Sequence, residues 1–263
     1  MKTSFIIIGL FSGMIHNAFA STPESNFSPI KSNQCVVHEL TTQKQVDTFE
    51  SSFKGCSEIL GGLKIAGKDI QNLNSLKSIV NIEGDLIIVD NPKLEFMTGL
   101  DNLQTVEGDV NIQSNNELSD ILSLNNLHSI SGNLNIKNNQ MLSYLDAFQH
   151  LAEINGSLNV TDDLSLRTLA GLDALTKVGN SITVNNNGEL RGTDSLKHIS
   201  ILPGSLDVKN NQNLFDLDGF IGLKEIDGNL DIENNRYLKS YNGLKNIAHI
   251  GGKTIEKNNG FEF

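Results

Sequence analysis

An asparagine recurs every 24 residues along most of this chain: Asn91, Asn115, Asn139, Asn187, Asn211, Asn235 and Asn259, with Asp163 at the one gap. A glycine column runs beside it at Gly84, Gly108, Gly132, Gly156, Gly204, Gly228 and Gly252, with Asn180 at its gap. Repetition at a fixed period marks a solenoid, in which each repeat buries its apolar face only against its neighbours.

The spacing inside one repeat indicates its local structure. A representative coil carries Leu134, Ile136, Asn139, Leu142, Leu145, Phe148, Leu151, Ile154 and Gly156. Leu134 and Ile136 alternate with period two, as in a short strand with one buried face. The later apolar positions recur every three residues, which fits neither a helix nor a strand. It fits a chain turning repeatedly around a core, with short bridges or 3₁₀-like turns between corners. Gly99, Ser123, Ala147, Gly171, Ser195, Gly219 and Gly243 form a column of small residues that marks a tight corner. The first coil, from Leu63 to Gly84, is one residue shorter in its strand-to-turn segment.

The asparagine column, with Asp163 as a substitution within it, reads as structural. Asparagine at a bend satisfies backbone groups and tolerates left-handed φ. Stacked in register, each amide also bonds the next, because a buried amide needs partners.

The N-terminal segment reads differently. Lys2, the apolar run from Phe5 to Ile15 and the small-x-small site Ala18-Phe19-Ala20 describe a signal peptide over 1–20. Lys2 is its one charged residue, so cleavage takes the formal charge from −11 to −12. Such an acidic chain is a poor partner for nucleic acid or an anionic membrane surface. No second apolar stretch follows, so membrane insertion is not expected. The localisation expected is secreted, periplasmic or cell-surface. In an exported chain the even pair Cys35 and Cys56 reads as a disulfide. Residues 21–34, polar with two prolines, read as a flexible leader. Residues 41–54 read as a short helix, with Thr42 and Gln45 forming a capping box. Val46, Phe49 and Phe53 lie on its one apolar face, and Gly55 stands at its stop.

The segment Cys56-Ser57-Glu58-Ile59-Leu60-Gly61-Gly62-Leu63-Lys64-Ile65 and the recurrent Ile-x-Gly-x-Leu-x-Ile-x-x-Asn pattern resemble the receptor L domain. This is the ligand-binding module of insulin-type and epidermal-growth-factor-type receptors, also found in fungal cell-wall proteins. Gly62 stands where the family usually has asparagine. Ordinary leucine-rich repeats match less well, because three residues separate Ile154 from Leu158, instead of two, and two separate Asn139 from Leu142, instead of one. The resemblance covers about 35–259. It implies an all-β solenoid, a right-handed parallel β-helix of about eight 24-residue coils with a short N-terminal capping helix. The domain would span 35–263, with a helix and disulfide cap over 35–60 and repeats over 61–263. The cysteine-rich module, membrane span and kinase of the receptors are not in this sequence, and neither is a lipid-anchor tail, so hormone binding is not carried over.

No catalytic constellation emerges. His150 and His198 share an offset two coils apart, roughly 10 Å, while His38, His128 and His249 scatter. No phosphate loop, zinc spacing or nucleophile elbow appears, and no cofactor is implied. One outward row of strand residues, Ile87, Asn111, Asn135, Asn159, Thr183, Asp207 and Asp231, forms a regular face. Its polar members, Asn111 to Asp231, are the candidate binding face for an extracellular protein or glycan. Tyr144, Phe215 and Tyr237 lie at other offsets and supply no aromatic to that row. Asp207 above Asp231 offers a calcium ion two carboxylates, too few for a site. Asn155 and Asn159 head glycosylation sequons, as does Asn26. At the C-terminal edge Thr254 and Glu256 replace the apolar strand pair, and self-association through that edge is an expectation. The function expected is a non-catalytic, exported binding or adhesion module. The alternatives are a structural envelope or wall protein, and a carbohydrate-active enzyme.

Overall fold

The computed structural model describes residues 31–260. The signal segment, Asn26, most of the leader and the last three residues lie outside that range. Ten parallel strands form the principal sheet, in strict chain order: Glu39–Leu40, Leu63–Ile65, Leu86–Val89, Val110–Gln113, Leu134–Lys137, Leu158–Thr161, Ile182–Asn185, Leu206–Lys209, Leu230–Glu233 and Thr254–Lys257. Each of the long strands pairs at a separation of 24 residues, so that Leu134 meets Val110 on one side and Leu158 on the other. The chain is therefore a β-solenoid, as its period requires.

After each principal strand the path bends, passes a corner and enters a two-residue strand of a second sheet. Six corners are 3₁₀ turns, among them Asp146–Phe148 and Asp218–Phe220. This explains the three-residue apolar spacing, since 3₁₀ geometry repeats every three residues. The corners at Gly99 and Gly171 are instead isolated turns, and there φ is +121° and +105°. A Cβ at Gly99 would meet the Leu73 carbonyl oxygen of the coil before at 1.9 Å, so the corner closes only without a side chain.

The short strands form one seven-stranded sheet ending at Lys177–Val178 and one three-stranded sheet starting at Ile201–Leu202. Pro203 accounts for the break. In flanking coils the equivalent residue donates its N–H across, as Gly179 does to the Ile154 carbonyl and Asp227 to that of Leu202. Proline has no N–H to donate.

Buried leucine, isoleucine and valine fill one continuous core from Val37 to Leu238. Phe148 and Phe220 occupy matching corners in it. At the N-terminal end the expected helix over 41–54 is two shorter pieces, α1 (Gln43–Asp47) and α2 (Phe49–Ser52), broken at Thr48. The Thr42–Gln45 capping box is present, and Val46 and Phe49 are fully buried. Cys35 and Cys56 are joined in a disulfide with Cα atoms 5.8 Å apart. Gln34, reckoned with the leader, already pairs with Glu58 as a strand. No helix among the described residues is long and apolar enough to cross a membrane.

At the opposite end the last strand, Thr254–Lys257, is exposed along its whole length. Leu244, Ile247 and Ile250 pack on the core but stay partly open, around a cavity of about 670 Å³. Glu256 occupies the inward register position of Ile232. An inward-pointing charge at a sheet end blunts it against edge-to-edge pairing.

Candidate functional site

Two polar columns run the length of the solenoid, and their chemistry differs. The interior one contains Asn91, Asn115, Asn139, Asp163, Asn187, Asn211, Asn235 and Asn259, all buried. Asn115 shows the pattern. Its Nδ2 donates to the Ile88 carbonyl of the preceding coil at 2.9 Å, and its backbone N–H donates to Asn139 Oδ1 at 3.1 Å. The same unit recurs at Asn211, where Nδ2 donates to the Val184 carbonyl and the N–H to Asn235 Oδ1. Each amide thus occupies backbone groups that the bend strips from the sheet ladder.

The left-handed backbone conformation falls one residue earlier than expected. Asp90, Ser114, Asn138, Asp162, Asn186, Asn210, Asn234 and Asn258 have φ between 54° and 62°. The ladder asparagines themselves are not among them. The two jobs are divided between adjacent residues: one makes the bend, where asparagine and aspartate tolerate positive φ, and the next pairs the groups the bend leaves behind.

Asp163 departs from its column. Its Oδ1 accepts from the Asn139 N–H at 2.7 Å and from Asn139 Nδ2 at 3.2 Å. Its Oδ2 is buried with no partner. Where the other side chains donate to a carbonyl of the coil before, Asp163 ionised has nothing to give the Ile136 carbonyl. Burial raises its pKa from 3.8 to about 7, against the lowering effect of the Asn139 hydrogen bonds and with a smaller upward push from Asp162. The protonated acid restores the missing donor.

The outer column is Ile87, Asn111, Asn135, Asn159, Thr183, Asp207 and Asp231, in register on the principal sheet and half-buried. Its amides bond one another: Asn135 Nδ2 donates to Asn111 Oδ1 and Asn159 Nδ2 to Asn135 Oδ1, each at 2.7 Å. The row is therefore a second ladder as well as a surface. Farther along, Lys209 Nζ stands 3.4 Å from Asp207 Oδ2, 2.5 Å from Asp231 Oδ2 and 3.6 Å from Glu233 Oε1. Burial raises the Asp207 pKa, and the charge of Lys209 opposes it. Burial draws the Lys209 ammonium down, but the Asp231 bond and the two aspartate charges leave it above its usual value. The Lys209 ammonium thus pairs with both aspartates of the column.

The sequence reading missed several arrangements. Lys209 was not linked to the aspartates, although it lies two residues beyond Asp207 on the same face. His150 lies beside His128, with ring centroids 6.0 Å apart, and its Nδ1 is 2.7 Å from the Asn125 carbonyl. Phe96 and Tyr144, both exposed, share one offset two coils apart on a corner rather than on the sheet. Each lies five residues beyond a ladder asparagine, Asn91 and Asn139. Of the sequon residues, Asn155 is exposed and accepts from Lys177 Nζ at 2.8 Å, while Asn159 is committed to Asn135.

Comparison with known proteins agrees with this geometry. The family model described as Receptor L domain matches residues 55–119 and again 104–214. The second match overlaps the first, so the repeat run is longer than one matched module. No curated protein matches the chain. Receptor L domains are non-catalytic, ligand-binding ectodomain modules. With more than half of its residues matched, in a solenoid of stacked parallel strands with a disulfide at the first coil, this chain belongs to the receptor L domain family.

Proposed function

We propose that the protein is an exported, non-catalytic binding or adhesion module that presents a rigid solenoid face to an extracellular protein or glycan. The observation that carries this reading is the union of a ligand-binding family with an outer column held in fixed register. Asn111, Asn135 and Asn159 are aligned by their mutual hydrogen bonds before any ligand arrives, which lowers the ordering cost of binding. Asn135 and Asn159 each have two amide N–H donors and use one along the row, leaving the other for a ligand. The disulfide and the signal-like residues 1–20 support a secreted, periplasmic or cell-surface location.

The test applies the mature chain to a broad glycan array and uses it to capture proteins from extracellular extract. A coherent glycan class, or one protein recovered repeatedly at raised salt, is expected, and Asn135→Ala with Asn159→Ala should weaken it. Silence in both assays would overturn the reading. A second reading is favoured by the open C-terminal end, where Tyr241, Leu244, Ile247 and Ile250 border the cavity of about 670 Å³. On that reading the protein is a wall or envelope spacer that stacks through this end. Sedimentation should then show concentration-dependent association, lost on truncation after Asn235.

A further inference from the structure

We infer that the corner edge built by Phe96, Leu122 and Tyr144 is a docking groove for an extended basic segment of a partner protein, one whose lysine or arginine side chains enter two acidic bays beside the rings. The inference rests on the binding-module reading and gives it a second surface, away from the principal sheet.

The edge is apolar where a solvated corner is normally polar. Phe96, Leu122 and Tyr144 are 44%, 51% and 45% exposed and belong to three successive coils. Leu122 separates two shallow bays of about 170 and 160 Å³. Phe96, Asp101 and Asp120 border the first, and Asp120, Tyr144 and Asp146 border the second. Each bay therefore has one aromatic ring, two carboxylates and a shared leucine. Asp101 and Asp120 each bond a nearby backbone N–H, Gly99 and Leu122 respectively, which holds the carboxylates in place. None of the three aspartates is in an ion pair among the described residues.

Charge selects the occupant. At the two outward corner positions, five and seven residues beyond each ladder asparagine, the coils from Asn91 to Asn235 place Asp120, Asp146, Asp194, Asp216 and Asp218 and no lysine or arginine. A neutral glycan gains no charge attraction from such a row, and an anionic one is repelled. A second copy of this chain, with a formal charge of −11, is repelled as well.

The rest of the molecule indicates what these rings accept. Phe215 has Lys239 Nζ 4.8 Å from its ring centroid, and Tyr237 has Arg236 Cζ at 5.8 Å. Those aromatics are each covered by a cation from their own chain. Phe96 and Tyr144 have no such cation among the described residues, and they stand beside carboxylates. A ring face with an adjacent carboxylate attracts a guanidinium or ammonium by both interactions. The rings are two coils apart, roughly 10 Å. An extended chain advances roughly 3.3 Å per residue, so basic side chains two or three residues apart reach both bays.

The probe is a short fluorescent peptide alternating serine with arginine, compared with the same peptide carrying glutamine in place of arginine. Fluorescence anisotropy at physiological salt should show binding of the arginine peptide and not of its glutamine counterpart. Phe96→Ala with Tyr144→Ala should weaken it by about tenfold. The exchange Phe96→Tyr with Tyr144→Phe, which keeps both rings, should retain binding and guards against a folding defect. Asp227→Asn, exposed beside the short strand Glu225–Ile226, should change nothing. Arginine-peptide binding that is absent, or that survives loss of both rings, overturns the proposal, the latter exposing mere attraction to an acidic surface. Rings needed instead for a neutral glycan, or for association of two copies, overturn it too. Partner capture that fails only in the Asn135→Ala, Asn159→Ala chain sinks the edge and leaves the binding-module reading intact.

Discussion

The interior and outer columns begin with the same amide and end in opposite physics. Both stack asparagine on asparagine every 24 residues, and both include aspartate substitutions. Inside, the amide is fully buried and pairs backbone groups that have no access to water. Outside, the amides pair mainly with one another and solvent stands ready to replace them. An aspartate in the outer column finds Lys209, while Asp163 in the inner one finds no counter-ion and holds its proton toward neutral pH. Surroundings thus decide whether one substitution is neutralised by an ion pair or by a proton.

Removing an interior amide should give the largest effect. Asn211→Ala leaves the Asn187 N–H and the Val184 carbonyl without partners, at a cost of about 3–5 kcal/mol on the ordinary penalty for buried unpaired groups. Urea denaturation measures it, and a loss below 1 kcal/mol would erase the distinction between the columns.

Asp163→Asn tests the proton. Over the interval from 3.8 to about 7 the folded chain holds a proton that the unfolded chain has released. The stability Asp163 contributes is therefore complete at the acidic end and falls as pH rises through that window. The full interval corresponds to about 4 kcal/mol. The wild-type chain should lose stability relative to Asp163→Asn between pH 4 and pH 7, and parallel stability curves for the two would refute a buried neutral acid.

Lys209→Gln sharpens the outer side. It leaves Asp207, Asp231 and Glu233 facing one another and should cost about 1 kcal/mol, less in high salt because these side chains are partly exposed. A penalty that salt does not reduce would contradict that account. Asn135→Ala should have the smallest effect, within about 1 kcal/mol, since water replaces the bonds it breaks. Thermal melting checks it, and a loss equal to that of Asn211→Ala would make the outer row structural in the same sense as the inner one.

Much of this was legible before any coordinates. The 24-residue period placed every principal strand from Leu86 onward, and the three-residue spacing anticipated 3₁₀ corners such as Asp146–Phe148. The even cysteine pair and the Thr42 capping box also read directly, because both depend on residues close in sequence. The sequence does not say which residue takes the left-handed bend, since neighbouring asparagines such as Asn138 and Asn139 look alike until backbone angles separate them. The break at Thr48 is not legible in the sequence, because an apolar face at helical spacing survives a bend between two short helices.

A period in a sequence specifies which residues stack, because each coil must meet its neighbour at equivalent positions. It therefore defined the solenoid, its core and both polar columns. It did not specify how a coil closes on itself, since closure brings together residues at different offsets. Folding alone seated Lys209 among three carboxylates, left Asp163 Oδ2 without a partner and exposed Phe96 and Tyr144 on one corner edge. Stacking is a one-dimensional relation that a repeat records directly, whereas charge pairing, desolvation and surface exposure depend on distances in three dimensions.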